Sequence, residues 1–319
     1  MVACSVIGQQ TILVAFTVTI LGNSSAKPTP NAHPSAQVVN LNEQYYLVDA
    51  GEGVQQQLIR RGINPLRLRA VFISHLHGDH CFGLFPLIAT LGLEGKRTPL
   101  DIYAPAPMGE ILEYHRRYFW DDLPYEVKWH EVRTTEHQII MENSTLEVWS
   151  IPLRHRVPTA GYHFKEKQPG LNVEKYKIEK YGLSIAEIVT AKRGEDVVRD
   201  GEVIANEELT YIPYKARSYA YLSDTNYSAR AAERVKGVDL LYHETTYSER
   251  DAMIAKGRGH STTHEAAKVA AKAEAKRLII GHFSSRYKEL QQLCDECREI
   301  FPETYIASEG TTFSIEQTR

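Results

Sequence analysis

The chain is predicted to adopt an α/β fold, on three observations. Short β-branched and apolar runs recur throughout its 319 residues, helical patterns lie between several of them, and one long polar stretch interrupts the alternation. Hydrophobic residues at 43% and charged residues at 24% are ordinary for a chain with a substantial core, so disorder is not the default. A formal net charge of -3 provides no global basic footprint, and any nucleic-acid contact must come from a local patch.

Residues 1–13 are treated as an extension without an assignable role, and the main domain is placed at 14–319. The apolar run 11–21 has no positive residue before it and is too short to span a bilayer, so its second half, 14–21, is read as the first strand. Strands follow at 45–48 (Tyr-Tyr-Leu-Val) and 70–73 (Ala-Val-Phe-Ile), with a helix over 54–61 between them. A helix is expected over 81–93, then a strand at 100–104, a helix over 108–118 and a strand at 146–151. The stretch 164–209 is polar, rich in Lys and Glu and poor in long apolar runs, and reads as an inserted arm. Between residues 165 and 199 it holds eight basic residues against six acidic ones, a balance that fits a solvated surface excursion as well as a binding element. Strands resume at 218–222, 238–242 and 278–280, with helices over 263–273, capped by Thr262 or Thr263, and over 288–300. No segment reaches transmembrane length, and four cysteines are too few for a disulfide framework, so a soluble cytoplasmic protein is the simplest reading. Cys294 and Cys297 form a C-x-x-C without the other ligands that a closed zinc site needs, and are read as structural.

The chemistry concentrates after the strand 70–73, in Ser74-His75-Leu-His77-Gly-Asp79-His80. His75 and His77, two apart on extended backbone, point the same way and can grip one ion. Gly78 is expected to let the chain turn sharply, so that Asp79 and His80 present a carboxylate and an imidazole at the start of the next helix. Three imidazoles and a carboxylate suit zinc, whose ligands are nitrogen and oxygen in tetrahedral or five-coordinate sites. Four groups cannot complete two coordination spheres. Further candidates stand at the ends of other strands: His155 after 146–151, Asp224 after 218–222 and His282 after 278–280. If neighbouring strands of one sheet end together, these loops share an edge, where ligands collect in α/β folds.

The pattern H-x-H-x-D-H with distant His, Asp and His resembles the metallo-β-lactamase superfamily. Five further words narrow it: Leu21-Gly-Asn-Ser-Ser-Ala-Lys-Pro-Thr-Pro30, Val48-Asp-Ala-Gly-Glu-Gly53, His243-Glu-Thr-Thr-Tyr247, Gly259-His-Ser-Thr262 and Gly281-His-Phe-Ser-Ser-Arg-Tyr287 resemble ribonuclease Z, over nearly the whole chain. The resemblance implies a four-layer αββα sandwich and an endoribonuclease that matures tRNA 3′ ends. It implies two zinc ions, or other divalent metals, with His75, His77 and His155 on one, Asp79, His80 and His282 on the other, and Asp224 bridging them. Asp79 would also orient or deprotonate the attacking water. Two metals about 3.5–4 Å apart suit phosphodiester hydrolysis because they stabilise both the attacking and the leaving oxygen.

His243, with Glu244, resembles the family's His-Glu-Ala-Thr word and is assigned proton transfer to the departing oxygen; a hydrogen-bonded core histidine at a strand end is the alternative. His260 either supports the site from behind or simply precedes a helix. Asp49 is expected to hold a ligand histidine by its free ring nitrogen, or else to form a turn. His33, His115, His130, His137 and His163 lack such surroundings. Arg286 is a candidate for gripping phosphate.

In this family a protruding arm lies between the third histidine ligand and the bridging aspartate, where 164–209 falls, which makes precursor tRNA the expected partner and a homodimer the expected assembly. Two words depart from the pattern: the arm reads Tyr181-Gly-Leu-Ser-Ile-Ala-Glu-Ile188 in place of a Gly-Pro-rich segment, and the loop from Pro28 to Pro34 lacks the Lys and Arg found in some bacterial members. A small-molecule hydrolase of the same fold, acting on a phosphodiester, sulfate ester (arylsulfatase) or lactone, is the competing enzyme. A catalytically silent RNA-binding protein is the alternative of another class, opposed by the full ligand set.

Overall fold

The first sheet is assembled from the N-terminal half of the chain, in a computed structural model that describes residues 15–30 and 32–318. Its strands are β1 (Phe16–Gly22), β2 (Ala36–Leu41), β3 (Gln44–Ala50), β4 (Leu68–Phe72), β5 (Leu100–Ala104) and β6 (Val127–Glu131). Helices α1 (Val54–Arg60), α2 (Gly78–Cys81), α3 (Leu84–Leu93) and α4 (Pro107–Phe119) alternate with them. The second half begins with β7 (Ile139–Glu142), β8 (Leu146–Pro152) and β9 (Ala160–Glu166). After an excursion it continues with β14 (Ser218–Leu222), α8 (Ala229–Arg234), β15 (Leu240–Glu244), α9 (Ala252–Arg258), α10 (Thr263–Lys272), β16 (Arg277–Gly281), α11 (Leu290–Arg298), β17 (Thr304–Ile306) and β18 (Thr312–Ser314). The sheet orders are β18-β1-β2-β3-β4-β5-β6 and β17-β16-β15-β14-β9-β8-β7. The expected extension 1–13 and the first residue of the expected first strand lie outside the described residues.

The four layers follow from which side chains alternate along each strand. Phe16, Val18, Tyr46, Val48 and Phe72 from one sheet meet Val148, Tyr162, Phe164, Tyr219 and Tyr221 from the other in a buried core between the sheets. The opposite face of the first sheet (Leu47, Val71, Ile102) packs on α1, α3 and α4, and that of the second (Ala220, Leu241, Leu278) on α8, α10 and α11. The inter-sheet core is rich in aromatics: Phe72 lies edge-on to Phe164 at 5.3 Å, a contact that contributes about 0.5–1.5 kcal/mol beyond area burial. Two of its tyrosines reach out of the core to polar partners, Tyr162 OH donating to Ile73 O at 2.5 Å and Tyr221 OH to Asp49 at 2.7 Å. The apolar core is thereby tied to the edge where the polar residues gather.

Most predicted elements stand within two residues of their expected ends. The helix expected over 81–93 divides into α2 and α3 at Gly83, where a Cβ would lie only 2.0 Å from Gly51 O. The strand expected at 238–242 runs from Leu240 to Glu244, which draws His243 and Glu244 into the sheet. β2, β6, β7, β9 and the C-terminal strands were not expected, and β9 carries the sheet through Phe164 to Glu166 before the arm begins.

Between Glu166 and Ser218 the chain forms a unit of its own: β10 (Asn172–Val173) paired with β13 (Thr210–Tyr211), the hairpin β11 (Val197–Arg199) and β12 (Glu202–Ile204), and helices α5 (Lys175–Tyr181), α6 (Ile185–Lys192) and α7 (Asn206–Leu209). Val173, Leu183, Ala191, Val197 and Leu209 make a small apolar cluster separate from those of the body. The word at residues 181–188 is a helix–turn–helix joint: Gly182 ends α5 at φ 55°, and Ser184 with Glu187 forms a reciprocal cap on α6.

Candidate metal centre

All seven expected ligands converge at one edge between the sheets. Asp224 and His282 follow β14 and β16, which flank β15 in parallel register, so their loops emerge together. His155 follows β8 of the same sheet, whereas His75 to His80 cross from the first sheet after β4. Both Asp224 and His282 hold left-handed backbone, at φ 57° and 58°, and so does Asp49 at 55°. Such conformations are uncommon in residues other than glycine and cluster where surroundings hold side chains for function. Gly78 does not supply the turn expected of it. The bend is made by extended His77 (φ -79°, ψ 146°) capping α2, and Gly78 is the first helical residue.

The donor atoms form two sets. His75 Nε2 and His77 Nδ1 stand 2.9 Å apart and His155 Nε2 lies 3.4 Å from His77 Nδ1. Asp224 Oδ2 faces His75 and His155 at 3.6 and 3.5 Å. Its other oxygen, Oδ1, faces His80 and His282 at 3.3 and 3.1 Å. His80 and His282 in turn lie 3.5 and 3.6 Å from Asp79 Oδ2. One carboxylate is therefore shared between the two sets, an oxygen to each. With ligands about 2.0–2.1 Å from an ion, donors of a tetrahedral set stand roughly 3.4 Å apart, and these spacings match.

The protons also argue for cations. The Nδ1–H of His80 donates to Asp49 (2.7 Å), that of His155 to Gly259 O (2.8 Å) and that of His282 to Thr246 Oγ1 (2.8 Å). His75 Nδ1 is 3.0 Å from Ser74 Oγ, which itself donates to Asp49. Four rings are thus fixed with Nε2 turned toward two carboxylates, a demand for positive charge that Asp224 and Asp49 otherwise meet by outweighing burial and raising His80 well above its ordinary value. Burial, reinforced by His80, pulls His75 well below the ordinary imidazole value, and burial lowers His77 and His155, so these rings stay neutral and able to ligate. Burial would protonate Asp224, but the rings facing it, His282 and His80 first, outweigh burial and keep the carboxyl ionised. The donor chemistry and spacing fit a metal ion, and each set could hold one.

Behind the ligands stands a supporting layer. Asp49, fully buried, accepts from Ser74 N (2.7 Å), Ser74 Oγ (2.9 Å), His80 Nδ1 (2.7 Å) and Tyr221 OH (2.7 Å). Gly259 ends α9 at φ 77°, turning its carbonyl to His155, and a Cβ there would stand 3.0 Å from His155 Nδ1. Ala26 N donates to Asp79 Oδ2 at 2.7 Å, which sets that carboxylate's orientation.

His243 is placed differently from its expectation. On β15 it stands beside Leu222 and Ile280, members of the cluster between sheet and helices, and its Nδ1 donates to the Glu244 carbonyl at 2.7 Å. Alternation along the strand turns it away from the metal-facing edge and turns Glu244 toward it. The imidazole that does reach the site is His260. Its Nδ1 lies 2.9 Å from Glu244 Oε1, and its ring centre lies 5.0 Å from that of His155 and 5.4 Å from that of His282. Glu244 also accepts from Thr225 N, Ser261 N, Thr246 N and Thr246 Oγ1. Burial works against charge on His260, but the Glu244 carboxylate outweighs it and raises the ring above its ordinary value. Thr262 and Glu265 cap α10 reciprocally, fixing the chain two residues beyond His260. Arg286 lies four residues past His282, with its guanidinium turned to Asp251 (3.5 Å) and over Tyr247 (5.0 Å). Cys294 and Cys297 are buried, their thiols on the carbonyls of Thr304 and Thr263, and burial pushes both up and out of the reactive range.

A family model described as the Beta-lactamase superfamily domain matches residues 44–181 and 206–283, leaving out the middle of the arm. The curated ribonuclease Z of Porphyromonas gingivalis is 43% identical over 298 residues, 93% of this chain and 98% of that protein. That of Bacteroides thetaiotaomicron is 42% identical over 301 residues, 94% and 95% of the two chains. The chain belongs to the ribonuclease Z family. Membership makes it a hydrolytic enzyme of the metallo-β-lactamase fold. Among solved structures, the human tRNase Z short form superposes with a TM-score of 0.69 at 24% identity, covering 94% of this chain and 99% of that one. A diphosphatase of the PhnP family superposes at 0.60 with 17% identity, covering 95% and 98%. These likenesses show the fold, and ribonuclease Z kinship rests on sequence. Among the described residues no helix is long and apolar enough to cross a membrane.

Proposed function

We propose that the protein is a zinc-dependent endoribonuclease that removes the 3′ trailer from precursor tRNA. The observation that carries the chemistry is the division of Asp224 between two donor sets. His75, His77 and His155 would hold one ion, Asp79, His80 and His282 the other, and Asp224 both. Two such ions would supply Lewis-acid stabilisation of the attacking and leaving oxygens and would make water nucleophilic near neutral pH. Asp79, oriented by Ala26 N–H, positions the attacking water and takes its proton. The departing 3′ oxygen needs a proton from the other side of the cluster. His260 supplies it, held at Nδ1 by Glu244 so that Nε2 is the nitrogen left for transfer. This is the role expected of His243, assigned instead to the ring that reaches the site.

The arm, residues 167–217, is the substrate-holding element, and precursor tRNA is the ligand it fits. Several of its cations are already engaged: Arg199 with Glu187, Lys167 with Glu142, Lys180 with Glu208, and Lys177 with the backbone carbonyl of Glu208. Lys175, Lys192 and Arg193 have no ionic partner among the described residues and are the positions for phosphate contact. The arm leaves β9 at Glu166, whereas the cluster lies at the Ala160 end, where Ala160 N donates to Ser74 O. Six strand steps put its root about 20 Å from its own metal centre. That separation favours a homodimer in which each arm holds tRNA cut by the other subunit. Free Cys81, Cys294 and Cys297 fit action in a reducing cytoplasm.

The test is incubation of zinc-loaded protein with a 3′-extended precursor tRNA. Cleavage next to the discriminator nucleotide, lost in Asp79→Ala, supports the reading. An enzyme that leaves the precursor intact while hydrolysing bis(p-nitrophenyl) phosphate overturns it in favour of a small phosphodiester.

A further inference from the structure

Both ends of the arm meet in one buried ion pair. Glu166 is the last residue of β9 before the arm, and Arg217 precedes β14 on the return. Their side chains are each only 4% exposed. The guanidinium forks onto the carboxylate, Nε to Oε2 at 2.9 Å and Nη2 to Oε1 at 2.8 Å, while Nη1 donates to Ile315 O at 2.9 Å. The two backbones are joined as well: Glu166 N donates to Arg217 O at 2.9 Å, and Arg217 N to Glu166 Oε2 at 3.1 Å. Lys215 N donates to Thr318 O, so the C-terminal segment is tied to the same point.

Beside the pair, Lys167 N donates to Thr145 O at 2.8 Å and Lys167 Nζ to Glu142 Oε1 at 2.6 Å, single bonds that hold distance without fixing a plane. The arm's apolar cluster shares no residue with the three clusters of the body. An arm connected by two chain crossings would swing about its root, because its own packing sets its shape and not its attitude. A bidentate guanidinium–carboxylate pair fixes relative orientation as well as distance, since both groups are planar and meet edge to edge. Pairs of this kind, buried and fully hydrogen-bonded, are a weak source of net stability and serve geometry better.

We propose that Glu166 and Arg217 are positioning residues for the substrate, a clamp that aims the arm so that its tRNA contacts and the metal centre can be engaged by one molecule together. The proposal rests on the reading of 167–217 as the tRNA-holding arm. A second contact multiplies affinity only when geometry allows both at once, so an arm free to swing forfeits that gain without changing the metal site.

The test compares four proteins: wild type, Glu166→Gln/Arg217→Met, a variant with residues 168–215 replaced by a short Gly-Ser linker, and the combination. In the paired substitution, glutamine still accepts from the backbone N–H of residue 217 and methionine fills the arginine stem's volume, so no buried charge is stranded. Turnover of bis(p-nitrophenyl) phosphate should stay within about twofold of wild type, while KM for precursor tRNA rises about tenfold or more with kcat little changed. In the arm-deleted background the pair should have no further effect on KM. Arg217→Lys should fall between, because an ammonium cannot hold both carboxylate oxygens in a plane. The clamp is refuted if the paired substitution leaves KM for tRNA at the wild-type value while arm deletion raises it. It is equally refuted if tRNA and bis(p-nitrophenyl) phosphate turnover fall in parallel with the melting temperature. If arm deletion itself leaves KM unchanged, the arm reading has failed first, and the clamp falls with it.

Discussion

Replacing Asp49 by Asn should weaken zinc binding at the His80 side of the centre with little change in backbone. Asp49 Oδ2 receives three donors, Ser74 Oγ, His80 Nδ1 and Tyr221 OH, and Oδ1 receives Ser74 N. An amide nitrogen in the Oδ2 position can still donate to the two hydroxyls, which rotate, but it offers nothing to the Nδ1–H of His80. What disappears is one hydrogen bond to a charged acceptor, about 1.5–3 kcal/mol. At 1.4 kcal/mol per tenfold, that is roughly 10- to 100-fold in affinity, the range found for partners that orient metal-binding histidines. Asn also tolerates the left-handed backbone at φ 55°, so it separates the missing charge from backbone strain. Asp49→Ala adds about 1–2 kcal/mol of strain and should lower the melting temperature of the metal-stripped protein further than Asn does. The assay is competitive titration of metal-stripped protein against a chromogenic zinc chelator. At limiting zinc the Asn variant should fall from two ions per chain toward one. Unchanged affinity for both ions would refute the role given to Asp49.

His260→Ala should lower kcat for precursor tRNA by about 10²- to 10⁴-fold with zinc content intact, whereas His243→Leu should affect melting and leave kcat within a few-fold; the reverse ranking would restore His243 as the proton donor. His163 is buried on β9 with its Nε2 unpartnered, and burial, then Lys165, pushes it down to about 3 from an ordinary 6.5. Its folded value lies below its unfolded one, so the stability it contributes is complete above pH 6.5 and is lost as pH falls toward 3. Between pH 6.5 and 5 the decrease is at most about 2 kcal/mol, and His163→Phe should flatten urea-melt stability over that interval relative to wild type at the same zinc level. An unchanged slope would show that His163 does not carry the effect. Replacing Lys175, Lys192 and Arg193 by Ala should reduce the slope of log affinity for tRNA against log salt by roughly 0.7–0.9 for each phosphate no longer neutralised; an unaltered slope would mean that the arm's phosphate-binding cations lie elsewhere.

The metal ligands are legible in the sequence because each is an unusual residue at a strand end, and strand ends are marked by the apolar runs before them. Asp224 after Ser218–Leu222 and His282 after Arg277–Gly281 need only the strands to be found. His243 misleads because the strand expected to end at 242 runs on to Glu244: with both residues inside β15, alternation points the carboxylate in and the imidazole into the helix layer. His260 carries a weak signal, since it only precedes a capped helix, and its importance comes from Glu244 sixteen positions away. The hydrogen bonds from Tyr221 to Asp49 and from His155 to the Gly259 carbonyl leave no mark in composition or spacing, because they are made by chain segments that meet only in the fold. β9 escapes detection for a related reason. Its inward residues Tyr162 and Phe164 are interleaved with Gly161, His163 and Lys165, so it lacks an apolar run while its alternation fills the inter-sheet core.

Diffraction from zinc-loaded crystals, with anomalous differences collected at the zinc edge, addresses the bridging role of Asp224 directly. Two peaks about 3.5–4 Å apart, one on each oxygen of Asp224, are the expected result. A single peak, or a pair that Asp224 does not join, would contradict the binuclear reading of the site.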